Sequence, residues 1–241
     1  MSAVHPVARV DDELDLLESL VPLAGLSILE LGCGAAKLAR DLLRRHPSSR
    51  VTGIEVDAVQ HAKNLAQPQD GLRFIAAGAQ DLPFEDRSFD LALMLKSLHH
   101  VPLPLMGQAL REAARVLRPG GHLYSSEPIF GGAFNDIVQL YNDEGRVRAA
   151  AQGALDDAWM TSGLWEQVDE RRFTMPVRYA SFEEFEVRMM RPSYADHHLD
   201  DALVARVRAA FQPHMTPDGA HFTRLMHVRL LRRTERPLAA A

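Results

Sequence analysis

The sequence predicts an α/β protein built on a doubly wound, mostly parallel sheet. Short apolar runs alternate with segments of helical apolar spacing across residues 1–125, which is typical of strands joined by crossover helices. A hydrophobic fraction of 46% and a net charge of −5 exclude a disordered chain. The length of 241 residues suits a single domain, and one cysteine excludes a disulfide framework.

Each element of the first half has its own local signal. Short runs rich in branched apolar residues predict strands at residues 27–32, 50–56, 72–77, 89–95 and 122–126. Leucines at helical spacing predict helices at residues 11–21, 35–46, 58–66 and 105–117. Asp57 is placed to cap the third of these helices, Pro47 ends the second, and the Pro-Gly-Gly turn at residues 119–121 closes the fourth.

The second half is less regular. Residues 130–163 are too long for an ordinary crossover loop, so we predict a helical insertion over residues 129–168 that caps the ligand cleft. Alternation predicts further strands at residues 171–179 and 221–232, and helical spacing predicts helices at residues 182–190 and 199–211. Residues 237–241 are expected to form a disordered tail.

The charge balance limits the kinds of partner. The chain has 27 Lys and Arg against 32 Asp and Glu, which argues against a nucleic-acid partner. No apolar run approaches the roughly 18 residues of a membrane span, and the acidic N-terminal stretch is unlike a signal peptide. We therefore expect a cytoplasmic monomer or homodimer that binds a small molecule.

Glycines and a carboxylate follow the first two predicted strands, where parallel sheets bind ligands. In residues 30–37 (ELGCGAAK), Gly32 and Gly34 permit a tight turn and a close approach of a ligand to the backbone. A dinucleotide fingerprint would need a third glycine where Lys37 stands, which argues against NAD. Glu55 ends the second strand and is placed to accept ribose hydroxyls. A tight turn without a ligand is the alternative interpretation.

Further motifs follow in a fixed order: residues 77–84 (AGAQDLPF), 89–90 (FD), 95–100 (LKSLHH) and 117–121 (LRPGG). Together these motifs resemble the class I S-adenosylmethionine-dependent methyltransferases, most closely the small-molecule branch with the ubiquinone- and menaquinone-type enzymes. The resemblance covers residues 27–127. It implies S-adenosylmethionine as cofactor and a seven-stranded sheet in the order 3-2-1-4-5-7-6, with the last strand antiparallel.

The resemblance also implies a cofactor site, made of Glu30, Gly32, Cys33, Gly34, Glu55, Val56, Ala79, Gln80 and Lys96. The first four would line the methionine portion, mostly through backbone atoms. Glu55 would bind the ribose, and Val56 would pack on the adenine. Ala79 and Gln80 would meet the adenine edge, and the carbonyl of Lys96 would meet the methionine amino group.

Two positions depart from the family pattern. Ala36 replaces the usual third glycine and adds a Cβ near the carboxylate end of the cofactor. Gly78 replaces an acid often found before the adenine-edge residue, so a hydrogen bond to the adenine amine is lost or moves to Gln80 or Asp81. Both departures are expected to weaken cofactor binding.

Candidate catalytic residues follow the fourth and fifth strands: His99, His100 and Glu127. An activated sulfonium methyl is transferred by in-line displacement, which depends on positioning and on exclusion of water. A base is needed only if the acceptor must lose a proton, and an imidazole oriented by a carboxylate suits that task. The alternative is that these side chains are hydrogen-bonded residues of the cleft wall.

The insertion supplies candidate substrate-binding residues: Phe130, Phe134, Tyr141, Trp159 and Met160. As a wall beside the cofactor they would favour an apolar or aromatic small molecule. Aromatic residues at helical spacing can equally be plain core. Although the chain has 11 histidines, no His-x₃-His or paired cysteine spacing occurs, so no metal site is predicted.

Three functions compete. The first is transfer of a methyl group to O, N or C of a small metabolite. The second is a regulatory or scaffold protein that binds the cofactor without turnover. The third, methylation of RNA or protein, is disfavoured by the acidic balance. Polyamine synthesis is also disfavoured, because no paired aspartates follow the fourth strand.

Overall fold

The structure, a computed structural model, describes residues 8–236; the tail predicted at residues 237–241 lies outside the described residues. The strands within that range are β1 (Ala8–Arg9), β2 (Ser27–Leu31), β3 (Arg50–Glu55), β4 (Leu72–Ala76), β5 (Phe89–Leu95), β6 (Leu117–Pro128), β7 (Trp165–Tyr179), β8 (Met215–Thr216) and β9 (Gly219–Arg233). The α-helices are α1 (Glu13–Leu20), α2 (Lys37–Arg45), α3 (Ala58–Leu65), α4 (Met106–Val116), α5 (Ala133–Val138), α6 (Gly145–Thr161), α7 (Phe182–Phe185) and α8 (Asp201–Phe211).

The strands form one sheet in the order β1-β7-β9-β6-β5-β2-β3-β4, and β8 pairs with β9. Strands β2 to β6 pair in parallel, whereas β9 is antiparallel to both β6 and β7. This arrangement confirms the predicted α/β class, the predicted order and the antiparallel last strand. The predicted number of seven strands is too low, because β1 and β8 have two residues each and so show no periodicity.

Most element boundaries in the first half lie within two residues of prediction, and Asp57 caps α3 by accepting a hydrogen bond of 3.0 Å from the Val59 amide. The exception is β6, which begins at Leu117 rather than at residue 122. Leu117 already pairs with Phe89, and regular pairing resumes at His122 with Leu91. The Pro-Gly-Gly segment is therefore an irregularity inside the pairing rather than a turn before it.

Helices cover both faces of the sheet. On one face α1 and α2 bury Leu14 and Leu42 against the strands. On the other face α4 and α6 do the same with Leu110 and Leu155. Helix α6 packs on the sheet with α4, while its Val147 and residues 142–144 of the predicted cap line the cleft. The predicted insertion ends too late, because β7 begins at Trp165.

A third apolar cluster lies where α5, α7 and α8 meet the ends of β7 and β9. It consists mainly of aromatic side chains, among them Phe134, Tyr179, Phe185, Phe211 and Phe222. Phe134 and Tyr179 stack with centroids 6.2 Å apart, and the other rings contact one another edge-on or tilted at 5.0–6.4 Å. This aromatic cluster supports residues 187–197, the wall segment. The predicted helix at residues 182–190 is present as α7 followed by a π-helical turn at Glu186–Met190, and the rest of the wall segment has no regular structure.

Among the helices of residues 8–236, none combines the length and the apolar character that crossing a bilayer requires.

Candidate active site

A cleft of about 1810 Å³ opens at the carboxyl ends of β2, β3 and β5. Its first part, the cofactor lobe, is lined by residues 30–34, 55–57 and 77–80. Its second part, the acceptor lobe, is lined by residues 99–102, residues 142–144 and the wall segment. All nine residues predicted to bind the cofactor line this one cleft.

The glycine turn after β2 leaves open space at one glycine and none at the other. Gly32 has a φ of +72°, and a Cβ there would lie 2.8 Å from the Cβ of Ser97. Gly34 has a φ of +51°, and a Cβ there would meet no atom within 4 Å. The backbone at Gly34 is thus an open cradle in the cleft.

Cys33, between these glycines, is a buried filler. Its Sγ lies 2.8 Å from the position that a Cβ on Gly53 would take. Burial raises the pKa of the Cys33 thiol, which removes it from nucleophilic chemistry near neutral pH. The next position of the turn, Ala36, is fully buried and left-handed, with a φ of +53°. The structure accommodates the extra Cβ of this departure inside the core rather than in the cleft.

Glu30 is a buried carboxyl group without a complete set of partners. Only 4% of its surface is exposed, and its Oε2 has no hydrogen-bond partner within the described chain. Burial raises the pKa of Glu30 to about 8. The nearest cation, Lys96, directs its Nζ to Glu13 at 2.8 Å. An unpartnered carboxyl beside the Gly34 cradle suits a ligand ammonium group.

Glu55 is buried, and its carboxylate holds two backbone segments together. Its Oε2 accepts a hydrogen bond of 2.8 Å from the Gly34 amide. Its Oε1 accepts bonds of 2.9 Å from the amides of Val56 and Asp57. A carboxylate has about four acceptor positions, so one remains for a ligand hydroxyl. Glu55 therefore shapes the cofactor lobe as well as facing it.

The adenine end predicted from the sequence has an apolar platform and an amide. Val56 keeps 73% of its surface exposed beside the cleft, whereas Ala79 is buried. The carboxamide of Gln80 lies 2.5–2.8 Å from the position that a Cβ on Gly78 would take. The Gln80 amide thus fills the space that the missing acid would occupy, which is consistent with a hydrogen bond moved to Gln80.

His99 and Glu127 form a buried pair at the inner end of the acceptor lobe. His99 lies in a 3-10 turn after β5, and Glu127 lies near the end of β6, so neighbouring strand ends bring them together. The Nδ1 of His99 bonds to Oε2 of Glu127, and Oε1 of Glu127 accepts a bond of 2.9 Å from the Leu98 amide. This bond assigns the ring hydrogen to Nδ1 and leaves a lone pair on Nε2.

Glu144 extends the pair from the loop before α6. Its Oε2 lies 4.0 Å from Nε2 of His99, and it pairs with Arg148 one turn along the helix. Burial tends to raise the pKa of Glu144, but the neighbouring His99 and Arg148 outweigh it and hold that pKa below its usual range. A second carboxylate thus faces the free nitrogen of His99. The sequence carries only the Glu-x₃-Arg spacing as a signal for it.

His100 stands beside His99, with ring centroids 4.1 Å apart, and is more exposed. Desolvation in the cleft and the neighbouring His99 lower its pKa, so His100 is neutral at neutral pH. Ligand atoms of His99, His100 and Glu144 lie within 4.8 Å of one another. No metal site was predicted there. A cation at this place would compete with Arg148 for Glu144.

None of the five side chains predicted to bind the substrate lines the cleft. Phe134 lies in the aromatic cluster, and Tyr141 packs against that cluster. Trp159, on α6, packs against the core cluster that contains α4, while Phe130 and Met160 are exposed by 41% and 58%. Of the two predicted residues on α6, Trp159 faces the core because that helix packs on the sheet, which is the plain alternative for an aromatic residue at helical spacing.

The wall segment takes the place of that predicted wall. Tyr194 approaches His100 with ring centroids 5.6 Å apart, and the Ser193 hydroxyl donates a hydrogen bond to Asp57. The wall segment therefore spans the cleft from the acceptor lobe to the end of β3. Glu13, on α1, is a second missed residue, because its 83-residue separation from Lys96 leaves no local signal.

The chain is similar to known methyltransferases. A family model described as a methyltransferase domain matches residues 29–125. The methyltransferase GfsG of Streptomyces halstedii is 33% identical over 144 residues, covering 57% of this chain and 51% of that protein. The 27-O-demethylrifamycin SV methyltransferase of Amycolatopsis mediterranei is 39% identical over 115 residues, covering 45% and 41%. The chain therefore spans about half the length of the curated relatives it matches.

Solved structures match over nearly the whole chain. The YcgJ protein of Bacillus subtilis superposes with a TM-score of 0.62 and 19% identity, covering 92% of this chain and 98% of that one. At this identity the likeness shows the fold alone, and it does so for both halves of the sheet.

Proposed function

We propose that this protein transfers the methyl group of S-adenosylmethionine to a hydroxyl oxygen of a small molecule. The match of residues 29–125 to the model of a methyltransferase domain supports the proposal. One observation carries the proposal. A single cleft joins the Gly34 cradle and Glu30 to the buried His99–Glu127 pair. A base oriented in this way is useful for an acceptor that must lose a proton, such as a hydroxyl.

The residues of the cofactor lobe fit S-adenosylmethionine. The unpartnered carboxyl of Glu30 suits the methionine ammonium group, and the open backbone at Gly34 suits the methionine chain. The remaining acceptor position of Glu55 suits a ribose hydroxyl, and exposed Val56 suits the adenine face. We assign the adenine edge to Ala79 and Gln80, and the carbonyl of Lys96 to the ammonium group.

His99 would act as the base. When bound, the cofactor supplies a methyl group activated by its sulfonium sulfur. The Nε2 of His99 accepts the hydroxyl proton as the acceptor oxygen becomes nucleophilic. Glu127 and Glu144 then stabilise the imidazolium, and Arg148 holds Glu144 in position. The wall segment excludes water from the acceptor lobe, which strengthens these interactions.

Titration calorimetry with S-adenosylmethionine and S-adenosylhomocysteine tests the proposal. We expect saturable binding of both, followed by methyl transfer to hydroxylated small molecules in a screen that measures S-adenosylhomocysteine release. Absence of binding by both ligands would overturn the proposal. Binding without release across the screen would favour the regulatory or scaffold alternative.

The pKa of Glu30 predicts that cofactor binding releases a proton. At pH 7 the free protein holds Glu30 mostly protonated, because burial raises its pKa to about 8. An ammonium group beside it favours the carboxylate, so binding expels about one proton, and affinity rises up to about tenfold per pH unit between pH 6 and pH 8. The measurement is the binding enthalpy in buffers of different ionisation enthalpy.

Glu30→Gln should abolish the dependence of the binding enthalpy on the buffer. Asp143 is an exposed carboxylate of the same cleft, so the control Asp143→Asn should retain that dependence. Binding enthalpy independent of the buffer in the unmodified protein would contradict the role of Glu30.

A further inference from the structure

Arg224 lies on β9 directly opposite Met175 of β7, and Met175 lines the cleft. Opposed residues of an antiparallel pair project from the same face of the sheet. The Arg224 side chain therefore leaves the sheet on the face where the cleft reaches Met175. Its guanidinium lies over the ring of Phe134, 4.8 Å from the centroid, which fixes the plane of the group.

Within the described residues no carboxylate is in hydrogen-bonding contact with this guanidinium, and Glu144, which acts on it from a distance, is already paired with Arg148. Its Nε is inaccessible to solvent and unpartnered, and within residues 8–236 the side chain forms neither a hydrogen bond nor an ion pair. Two other buried arginines differ: Arg148 pairs with Glu144, and Arg229 pairs with Asp156 at 2.6 Å. A partly buried cation without a partner is costly, so its retention calls for a ligand that supplies the charge.

Other unsatisfied groups near Arg224 are also donors. The Tyr141 hydroxyl and the Nδ2 of Asn135 are buried without partners in the described chain. The Tyr141 ring lies 5.3 Å from that of His197, which lines the acceptor lobe. Burial raises the pKa of Tyr141 and the charge of Arg224 opposes that shift, so the two groups are electrostatic neighbours. Glu144 also acts on Tyr141, but Arg148 already pairs with it, so the buried donors here outnumber the acceptors left free, which favours an anion.

Arg224 and Tyr141 adjoin Met175 and His197, two residues that line the cleft. We propose that Arg224 and Tyr141 bind a carboxylate of the methyl acceptor at this edge of the cleft. A carboxylate matches the planar fork of a guanidinium with two parallel hydrogen bonds. Its position leaves the hydroxyl end of the acceptor for His99. This inference rests on the proposed function, because it assigns the substrate class of the same cleft: a small hydroxy acid rather than a neutral apolar molecule.

The test measures binding of simple probes, benzoate and octanoate against benzamide and octanamide, to protein saturated with S-adenosylhomocysteine. We expect the carboxylates to bind at least about tenfold more tightly than the amides. Arg224→Met should abolish that preference and raise the melting temperature of the ligand-free protein, because it removes an unpaired charge. Tyr141→Phe should weaken carboxylate binding several-fold. The matched control is Arg232→Met, because Arg232 is an exposed arginine of β9 that pairs with Glu166. This substitution should change neither the preference for carboxylates nor the melting temperature.

Equal affinity of the unmodified protein for carboxylates and amides would overturn the inference, as would unchanged carboxylate binding in Arg224→Met. If that variant fails to fold, Arg224→Lys is the substitute, because it retains the charge without the planar guanidinium. In this variant the roughly tenfold preference for carboxylates over amides should be lost. S-adenosylhomocysteine affinity, measured separately, should be equal in all variants. Repeating the carboxylate titration without S-adenosylhomocysteine separates the two failures: carboxylate binding without cofactor binding would overturn the proposed function alone.

Discussion

Replacing His99 with asparagine is expected to lower kcat by about 10²- to 10⁴-fold, the usual contribution of a general base. The affinity for S-adenosylmethionine should remain unchanged, because His99 lies in the acceptor lobe. Asparagine keeps a hydrogen-bonding group toward Glu127, so the turn at residues 98–100 has a reason to persist. The measurement is kcat by release of S-adenosylhomocysteine, together with calorimetry of cofactor binding.

Glu127→Gln tests whether Glu127 orients the His99 ring, independently of its contribution to folding. Its amide oxygen can still accept the bond from Leu98, but its NH₂ group would face Nδ1 of His99 and move the ring hydrogen to Nε2. The free lone pair then points away from the acceptor, so kcat should fall with little change in melting temperature. His100→Asn is the matched control and should lower kcat less than tenfold. Equal losses for His99→Asn and His100→Asn would contradict the assignment of His99 as base.

The cofactor lobe follows from the sequence because parallel strands end at one edge of the sheet. Glu30, Glu55 and Lys96 lie at or directly after the ends of β2, β3 and β5. Pairing of these strands in the predicted order therefore fixes their positions in one cleft. Local signals such as glycine turns and the Asp57 cap are enough to place such residues.

The residues of the acceptor lobe cannot be predicted from the sequence in the same way. Aromatic residues at helical spacing in α6 indicate that one face is buried, but they do not say against which element, and Trp159 packs on the core. Helical spacing predicts the first residues of the wall segment, but residues 191–197 have no periodicity that would place them. In the sequence Arg224 is one of several polar residues in an alternating strand. Only the packing of β7, α5 and the aromatic cluster around it shows that its Nε is buried without a partner.

Glu55→Ala is expected to reduce S-adenosylmethionine affinity by at least about a hundredfold and to destabilise the free protein. The carboxylate accepts bonds from the Gly34, Val56 and Asp57 amides, so its removal leaves three donors unpartnered. Each buried unsatisfied group costs about 1–3 kcal/mol, less where water can enter the cleft. The loss of a charge-assisted ribose bond adds about 1.5–3 kcal/mol to the binding effect.

Calorimetry and thermal unfolding measure the two effects, and Asp57→Asn is the matched control. Asp57 is a half-buried carboxylate two residues away that caps α3 through Val59, a bond that the asparagine oxygen retains. The control should therefore bind the cofactor within a few-fold of the unmodified protein. If Glu55→Ala kept full affinity while losing stability, Glu55 would be a turn-forming residue only, and the ribose contact would have to come from another group of the cofactor lobe.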